Sequence, residues 1–335
     1  MKHSPSSESL HDPFRLPWHW GELLLWIAAI AVFFLFPNHL PLATLIAIVA
    51  LFALSLDLAL GYAGIVSLGH AAYFGAGAYV AGWLGKYGWT EPITGALIAM
   101  LVSAALGLIT ARAVAVGTEL SGLLVTLGLG LLLFEGANKA SDWTGGIDGL
   151  YGVTISPVLG LFPFDFSGRT GYFYALFWLL LGLLAVRRIV GSPLGLTLRS
   201  IGMNRRRTAA VGVDNARALA VAYTISTALA GLAGALLTQT TQYVTIDVFA
   251  FHRSADVLTM LIIGGTGYLY GGILGAAAFV LLQDKLSGIN PVYWQFWLGW
   301  ALVLIVLFMH DGVFGSLRNL LERIRRARKI ETDNA

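Results

Sequence analysis

Nine apolar stretches follow one another along this chain, most of them close to the roughly 20 residues that a helix needs to cross a bilayer. They are Gly21–Phe36, Leu40–Leu60, Ile65–Leu84, Ile93–Val116, Glu119–Gly136, Tyr172–Val190, Ala218–Thr240, Ser254–Leu282 and Tyr293–Met309. Hydrophobic residues make up 57% of the 335 and charged ones only 12%, against about a quarter charged in a soluble domain. The surface of such a chain belongs in lipid. The expected fold is an all-α polytopic integral membrane protein with about 8–10 transmembrane helices, since only helices and closed barrels satisfy their backbone in hydrocarbon.

The first stretch resembles a secretory signal, with Lys2 and Arg15 ahead of Leu23–Phe36, but it ends in "FFLFPNHL" without a small-residue cleavage site. It reads as a retained span. Cysteine is absent, which removes disulfides and thiolate chemistry.

Basic residues set the orientation. Residues 187–217 hold seven arginines against Asp214, and Arg318–Lys329 holds six basic residues against Glu322. Both segments are expected in the cytoplasm, and the acid-richer loop 137–171 outside. The division that follows is a cytoplasmic segment 1–20, one transmembrane domain 21–312 with its cytoplasmic loop at 191–217, and a basic cytoplasmic tail 313–335.

Between Arg217 and Arg318 lie three apolar stretches, whereas two cytoplasmic segments require an even number of crossings. Ser254–Leu282 is the exception to expect, because "GGTGYLYGG" interrupts it. Two half-helices that enter and return, or a half-helix followed by a tilted one, restore the parity. Broken backbone at membrane depth is tolerated only against protein or water, and it marks transport pathways. The alternative is a single crossing and a misplaced 187–217 loop.

In "GIVSLGHAAYFGAGAYVAGWL", Ser67, Ala71, Gly75, Ala78 and Gly82 fall on one helical face. Small residues permit close helix packing, which lipid does not reward. His70 borders that face and reads either as a neutral hydrogen-bonding ring in a tight interface or as a pathway residue. Asp57 either caps locally or functions; Glu135 and Asp256 lie near span ends and read as solvated.

No Walker A pattern and no H-E-x-x-H helix occurs, so neither ATP nor zinc is expected on this chain by those routes. His252 and Asp256 share a helical face at a spacing of four, but two groups make no metal site. An arginine ladder within a span and a TVGYG filter are likewise missing, which weakens a channel reading.

The loop "GSPLGLTLRSIGMNRRRTAAVGVDNARAL" predicts a short amphipathic helix, a glycine stop at Gly212 and a return to the membrane. Apolar knobs amid charge suit either a partner protein or anionic headgroups. Its residues Arg199, Ser200, Ile201, Ala210, Gly212, Asp214 and Arg217 resemble, in order and spacing, the signature loop of membrane subunits of bacterial branched-chain amino acid ABC importers. "LDLALGYAGIVSLGHAAYFGAGAYVAGWL" and "IGGTGYLYGGILGA" resemble two further regions of those subunits. Arg205, Arg206 and Arg207 depart from the acidic residues common in the middle of the family's loop.

The resemblance implies a permease in the bacterial plasma membrane with both termini cytoplasmic. It implies a second, related permease chain, two ATP-binding subunits that use ATP and magnesium, and an external substrate-binding protein. This chain itself would be no enzyme and would bind no cofactor, metal or nucleic acid, only lipid. The coupling loop would run through Arg199, Ser200, Ile201, Asn204, Arg205, Arg206, Arg207, Ala210, Gly212 and Arg217. Candidate pathway residues are Ser67, His70, Thr224, Thr227, Gly264, Gly265 and Gly267. The implied cargo is a branched-chain or other apolar amino acid, with urea or a short amide as the alternative. Two rivals are an ion-coupled secondary transporter built on Asp57, Glu135 or Asp256, and a passive channel.

Overall fold

A computed structural model describes residues 20–116, 119–165 and 167–308; the basic tail 313–335 and the segment 1–19 lie outside the described residues. The described chain is helical throughout apart from its connections. In order it forms α1 (Trp20–Leu35), α2 (Leu40–Asp57), α3 (His70–Lys86), α4 (Pro92–Val116), α5 (Glu119–Lys139), the single turn α6 (Ser141–Thr144) and α7 (Arg169–Val190). Then follow α8 (Pro193–Met203), α9 (Arg205–Ala210), α10 (Asn215–Thr241), α11 (Phe251–Gly264), α12 (Gly271–Ile289) and α13 (Trp294–Phe308). Six helical segments are long and apolar enough to cross a membrane. The protein is an all-α, multi-pass membrane protein.

Two halves share one plan. In the first, α2 runs through a π-helical turn (Leu58–Tyr62) into a non-helical stretch, 63–69, before α3, α4 and α5. In the second, α10 leads into a largely unwound stretch, 242–250, before α11, α12 and α13. The halves interlock: α10 packs along α4, and α2 packs along α12. Because α2 and α10 begin at opposite ends of the bundle, the two plans are inverted relative to each other. We call the end that carries 187–217 the arginine end and the end that carries 140–168 the opposite end.

Close packing at the centre depends on missing side chains. A Cβ on Gly77 would lie 2.0 Å from the carbonyl oxygen of Gly231, and one on Gly234 would lie 1.8 Å from that of Phe74. The backbones of α3 and α10 therefore touch, as small-residue interfaces in membranes do. The stripe Ala71, Gly75, Ala78 and Gly82 is buried, consistent with this packing role. Ser67 does not belong to it. The span expected from Ile65 becomes helical only at His70: Gly64 takes a left-handed φ of +67°, and the residues from there to Gly69 are non-helical.

The interrupted stretch Ser254–Leu282 resolves into two antiparallel helices. A Cβ on Gly275 would meet the Met260 carbonyl oxygen at 1.9 Å, and one on Gly264 the Gly271 carbonyl oxygen at 1.8 Å, so α11 and α12 close on each other as a hairpin. Gly265 and Gly267 make the turn with φ of +101° and +77°, open to glycine at little cost. Both helices extend beyond the apolar stretch, back to Phe251 and on to Ile289. Four helices, α10 to α13, thus lie between Arg217 and Phe308; of these, α10 and α12 are long and apolar enough to cross a membrane.

Candidate functional site

Three segments far apart in sequence meet at the arginine end. Asp57, the last residue of α2, is fully buried, and its Oδ1 accepts a hydrogen bond from the Gly267 N–H at 2.8 Å. Its Oδ2 has no donor among the described residues. One turn further on, a Cβ at Gly61 would lie 2.2 Å from Asp57 Oδ1 and 2.4 Å from Gly267 N. The π-helical turn and the α11–α12 turn are thus in backbone contact.

The loop between α7 and α10 lies against the same π-helical turn. The Arg199 guanidinium is 5.4 Å from the centre of the Tyr62 ring, within cation–π range. A Cβ on Gly64 would stand 3.4 Å from Gly202 Cα. On its inner side α8 buries Leu198 and Ile201. Asn204 ends α8 and caps α9, its Oδ1 accepting from Arg207 N at 3.0 Å; Asp214 caps α10 in the same way, accepting from Arg217 N at 3.0 Å. Between the two caps Gly212 stops α9 with φ +90°. Ser200, Arg206, Arg207, Ala210 and Arg217 are exposed, while Arg205 is half-buried and its carbonyl accepts from Asn215 Nδ2 at 2.7 Å. Met203 and Val211, 88% and 84% exposed, flank α9. The loop is therefore a rigid two-helix cap, seated by apolar residues and presenting arginines with two bare apolar side chains.

His70 opens α3 and is fully buried. Its Nε2 is 2.9 Å from Ser55 Oγ, and its ring stacks on Phe52 with centroids 5.6 Å apart. Ser226 Oγ donates to the Ser55 carbonyl at 2.5 Å, which ties α10 into the same knot. Two hydroxyls hold the junction around His70: Thr126 accepts from Leu68 N–H of the unwound stretch at 3.2 Å, and Ser254 from Ala71 N–H in the first turn of α3 at 2.9 Å. Backbone without water must find such partners inside the protein. Ser67 is buried beside them.

The remaining candidates occupy packed positions. Thr227 is buried and faces α4, where a Cβ on Gly107 would lie 1.8 Å from its Oγ1. Thr227 and Thr224 both donate to carbonyls of their own helix, at 2.9 and 2.8 Å. Gly264 and Gly265 are buried in the hairpin, with Gly267 on Asp57. Glu135 is exposed and Asp256 half-buried. His252 turns to Asp247, with Nε2 3.3 Å from Oδ1, rather than to Asp256.

The polar contacts that cross between helices were not legible in the sequence. Glu22 of α1 pairs with Arg187 at the end of α7 and also accepts from the Tyr270 hydroxyl at 3.0 Å. Tyr223 donates to Tyr73, whose hydroxyl also meets Thr110, at 3.1 and 2.6 Å. In the sequence, the one available signal was a run of tyrosines inside spans, where a hydroxyl has to find a partner.

Comparison with known proteins identifies the family. A family model described as "Branched-chain amino acid transport system / permease component" matches residues 38–309. The chain is 28% identical to the high-affinity branched-chain amino acid transport system permease protein LivM of Salmonella typhimurium, over 89% of this chain and 75% of that one. It is also 28% identical to LivM of Escherichia coli K12, over 92% and 77% of the two chains. An autoinducer 2 import system permease protein, LsrC of Enterobacter sp. strain 638, is 29% identical over 92% of this chain and 90% of that one. No solved structure gives a significant match. With the family match extending over far more than half of its length, this chain belongs to the permease components of branched-chain amino acid transport systems.

Proposed function

We propose that this chain is one of two related permease subunits in an ATP-driven importer that carries branched-chain aliphatic amino acids inward. Two ATP-binding subunits on the cytoplasmic side would hydrolyse ATP with magnesium, and an external binding protein would deliver the cargo. The arginine end, and with it both termini, would then face the cytoplasm.

The observation that carries this reading is the cap formed by α8 and α9. A loop that served only to touch headgroups would need no buried Leu198 and Ile201, no helix caps at Asn204 and Asp214, and no contact with Tyr62. A rigid lever needs all three. Force applied at Met203, Val211 and the arginines would pass through Arg199 and Gly202 to the end of α2, and through Asp57 to the α11–α12 turn. Coupling of this kind requires two global states that ATP biases differently. Arg205, Arg206 and Arg207 call for acidic residues on the facing ATPase surface, so a charge reversal at Arg206 would be rescued by the opposite reversal there.

The relatives' names favour branched-chain amino acids, with urea or a short amide as the other cargo class. Against an ion-coupled transporter, Glu135 is exposed and Asp57 Oδ1 is engaged by a backbone N–H; the rival reading would rest on Asp57 Oδ2 and Asp256.

The test is affinity isolation of the chain from its native host in mild detergent, with partners identified and counted. One related permease and two ATPase copies per chain are expected. A chain that comes down alone, and moves solute in liposomes without ATP, would contradict the proposal.

A further inference from the structure

A cavity of about 340 Å³ lies between α2, α10, α11 and α12 and is lined by both charges and bare apolar groups. Its size is at the lower end of small-ligand pockets, roughly 300–1,000 Å³. On α2 the lining runs from Leu42 to Phe52, about 15 Å of helix at 1.5 Å per residue. Leu42 and Ser287 both lie near the opposite-end termini of their helices. The cavity therefore reaches from that end, the outer face in the functional reading above, toward the middle of the bundle.

Its two parts differ in chemistry. The inner part is apolar: Phe52 and Phe74, with ring centroids 4.6 Å apart, together with Val257, Met260 and Phe279. Phe52 is backed on its far face by the stacked His70 ring, which gives that buried histidine a supporting role. The polar part consists of Arg253, Asp256, Gln283, Asp284 and Ser287. Arg253 and Asp284 are exposed and the other three half-buried, so the charges sit at the rim of the cavity. Charge is unevenly met among them. Arg253 spends Nε and Nη2 on Asp247 Oδ2, at 3.1 and 2.7 Å, which leaves its Nη1 uncommitted to that pair. Asp256 and Asp284 form no ion pair among the described residues. The lining thus offers excess carboxylate for a cation, guanidinium N–H for an anion close by, and an aromatic–aliphatic chamber.

We infer that this cavity is a binding site within a single subunit for a free amino acid with an aliphatic side chain. The ammonium would meet Asp256 and Asp284, the carboxylate the free edge of Arg253, and the side chain the chamber closed by Phe52, Phe74 and Phe279. The inference rests on the proposed cargo class and adds a place for it, separate from the coupling cap. The Arg253–Asp247 pair would hold the guanidinium at the rim.

The native chain has no cysteine, so Ser287→Cys supplies a single thiol. Its labelling by a methanethiosulfonate ethylammonium reagent is followed in membranes that carry the assembled transporter, with leucine uptake measured in parallel. L-leucine at saturating concentration should slow labelling at least fivefold; 4-methylpentanoate, which lacks the ammonium, should not. Adding Asp256→Asn should abolish the protection, each variant being compared with its own rate of labelling in the absence of leucine. Unprotected labelling in membranes that still take up leucine would overturn the site alone, and would fit a cavity filled by a lipid chain. Loss of both protection and uptake in the Ser287→Cys protein, with uptake also absent in the unmodified transporter, would overturn the cargo reading and the site with it.

Discussion

Asp57 and Gly267 stand 210 residues apart in sequence and 2.8 Å apart in space, joined by a hydrogen bond from the glycine N–H to the aspartate Oδ1. The contact welds the unwinding end of α2 to the turn of the α11–α12 hairpin, beside the cap formed by α8 and α9. Movement of the end of α2 away from the hairpin turn has to break this bond.

Replacing Asp57 separates its acceptor from its charge. Asp57→Asn keeps an oxygen for Gly267 and should retain at least half of wild-type uptake. Asp57→Ala leaves a buried N–H without a partner, a loss of about 1–3 kcal/mol, and should reduce uptake at least fivefold at equal membrane levels. Equal uptake by both variants would show that the bond is dispensable.

Gly61 has no room for a methyl group, since its Cβ would overlap both Asp57 Oδ1 and Gly267 N. Gly61→Ala should therefore destabilise the purified protein, overpacking typically costing about 1–3 kcal/mol. Gly288→Ala, where a Cβ meets nothing within 4 Å, is the control and should leave thermal stability unchanged. Comparable melting in detergent for the two variants would refute the contact.

Arg199 over Tyr62 is the cap's charged link to α2. A cation–π contact of this kind is worth about 0.5–2 kcal/mol. Arg199→Ala should lower transport while substrate-independent ATP hydrolysis by the complex persists; Arg199→Lys should recover part of the coupling. The measurement is the ratio of substrate moved to ATP hydrolysed, which Arg199→Ala should lower severalfold.

His70 is expected to act through packing. Its stacking on Phe52 and its bond to Ser55 predict that His70→Ala lowers the melting temperature by several degrees, by analogy with core truncations that cost about 2–5 kcal/mol. His70→Gln, which can still bond Ser55, should transport with unchanged kinetics at normal membrane levels. A large kinetic defect in a stable Gln variant would instead make the ring a pathway group.

The spans were legible because lipid demands long apolar helices, and eight of the nine stretches become helices with ends shifted by a few residues. The parity of the basic segments pointed to a break in Ser254–Leu282 within "GGTGYLYGG", and the structure places the turn there, at Gly265 and Gly267. Residues 63–69 were harder to read. Their composition is as apolar as that of a helix, and the side chain that holds them, Thr126 Oγ1 on Leu68 N–H, comes from another helix. Asp57 stood out in the sequence but its pairing with Gly267 did not, and Glu22 and the tyrosine pair escaped altogether, since these pairings are set by tertiary packing. Asp256 looked solvated from its place near a helix end, and the cavity beside it exists only once α11 folds back on α12.

The most direct test of the account is leucine uptake into proteoliposomes that hold the isolated complex, with its binding protein present on the face that receives cargo. Radiolabelled leucine should accumulate against a gradient only when ATP and magnesium reach the opposite face, and Arg199→Ala should reduce the amount moved per ATP. Accumulation that proceeds without ATP, or that collapses when an ion gradient is dissipated while ATP remains, would contradict an ATP-driven importer and return the buried acids to the role of ion sites.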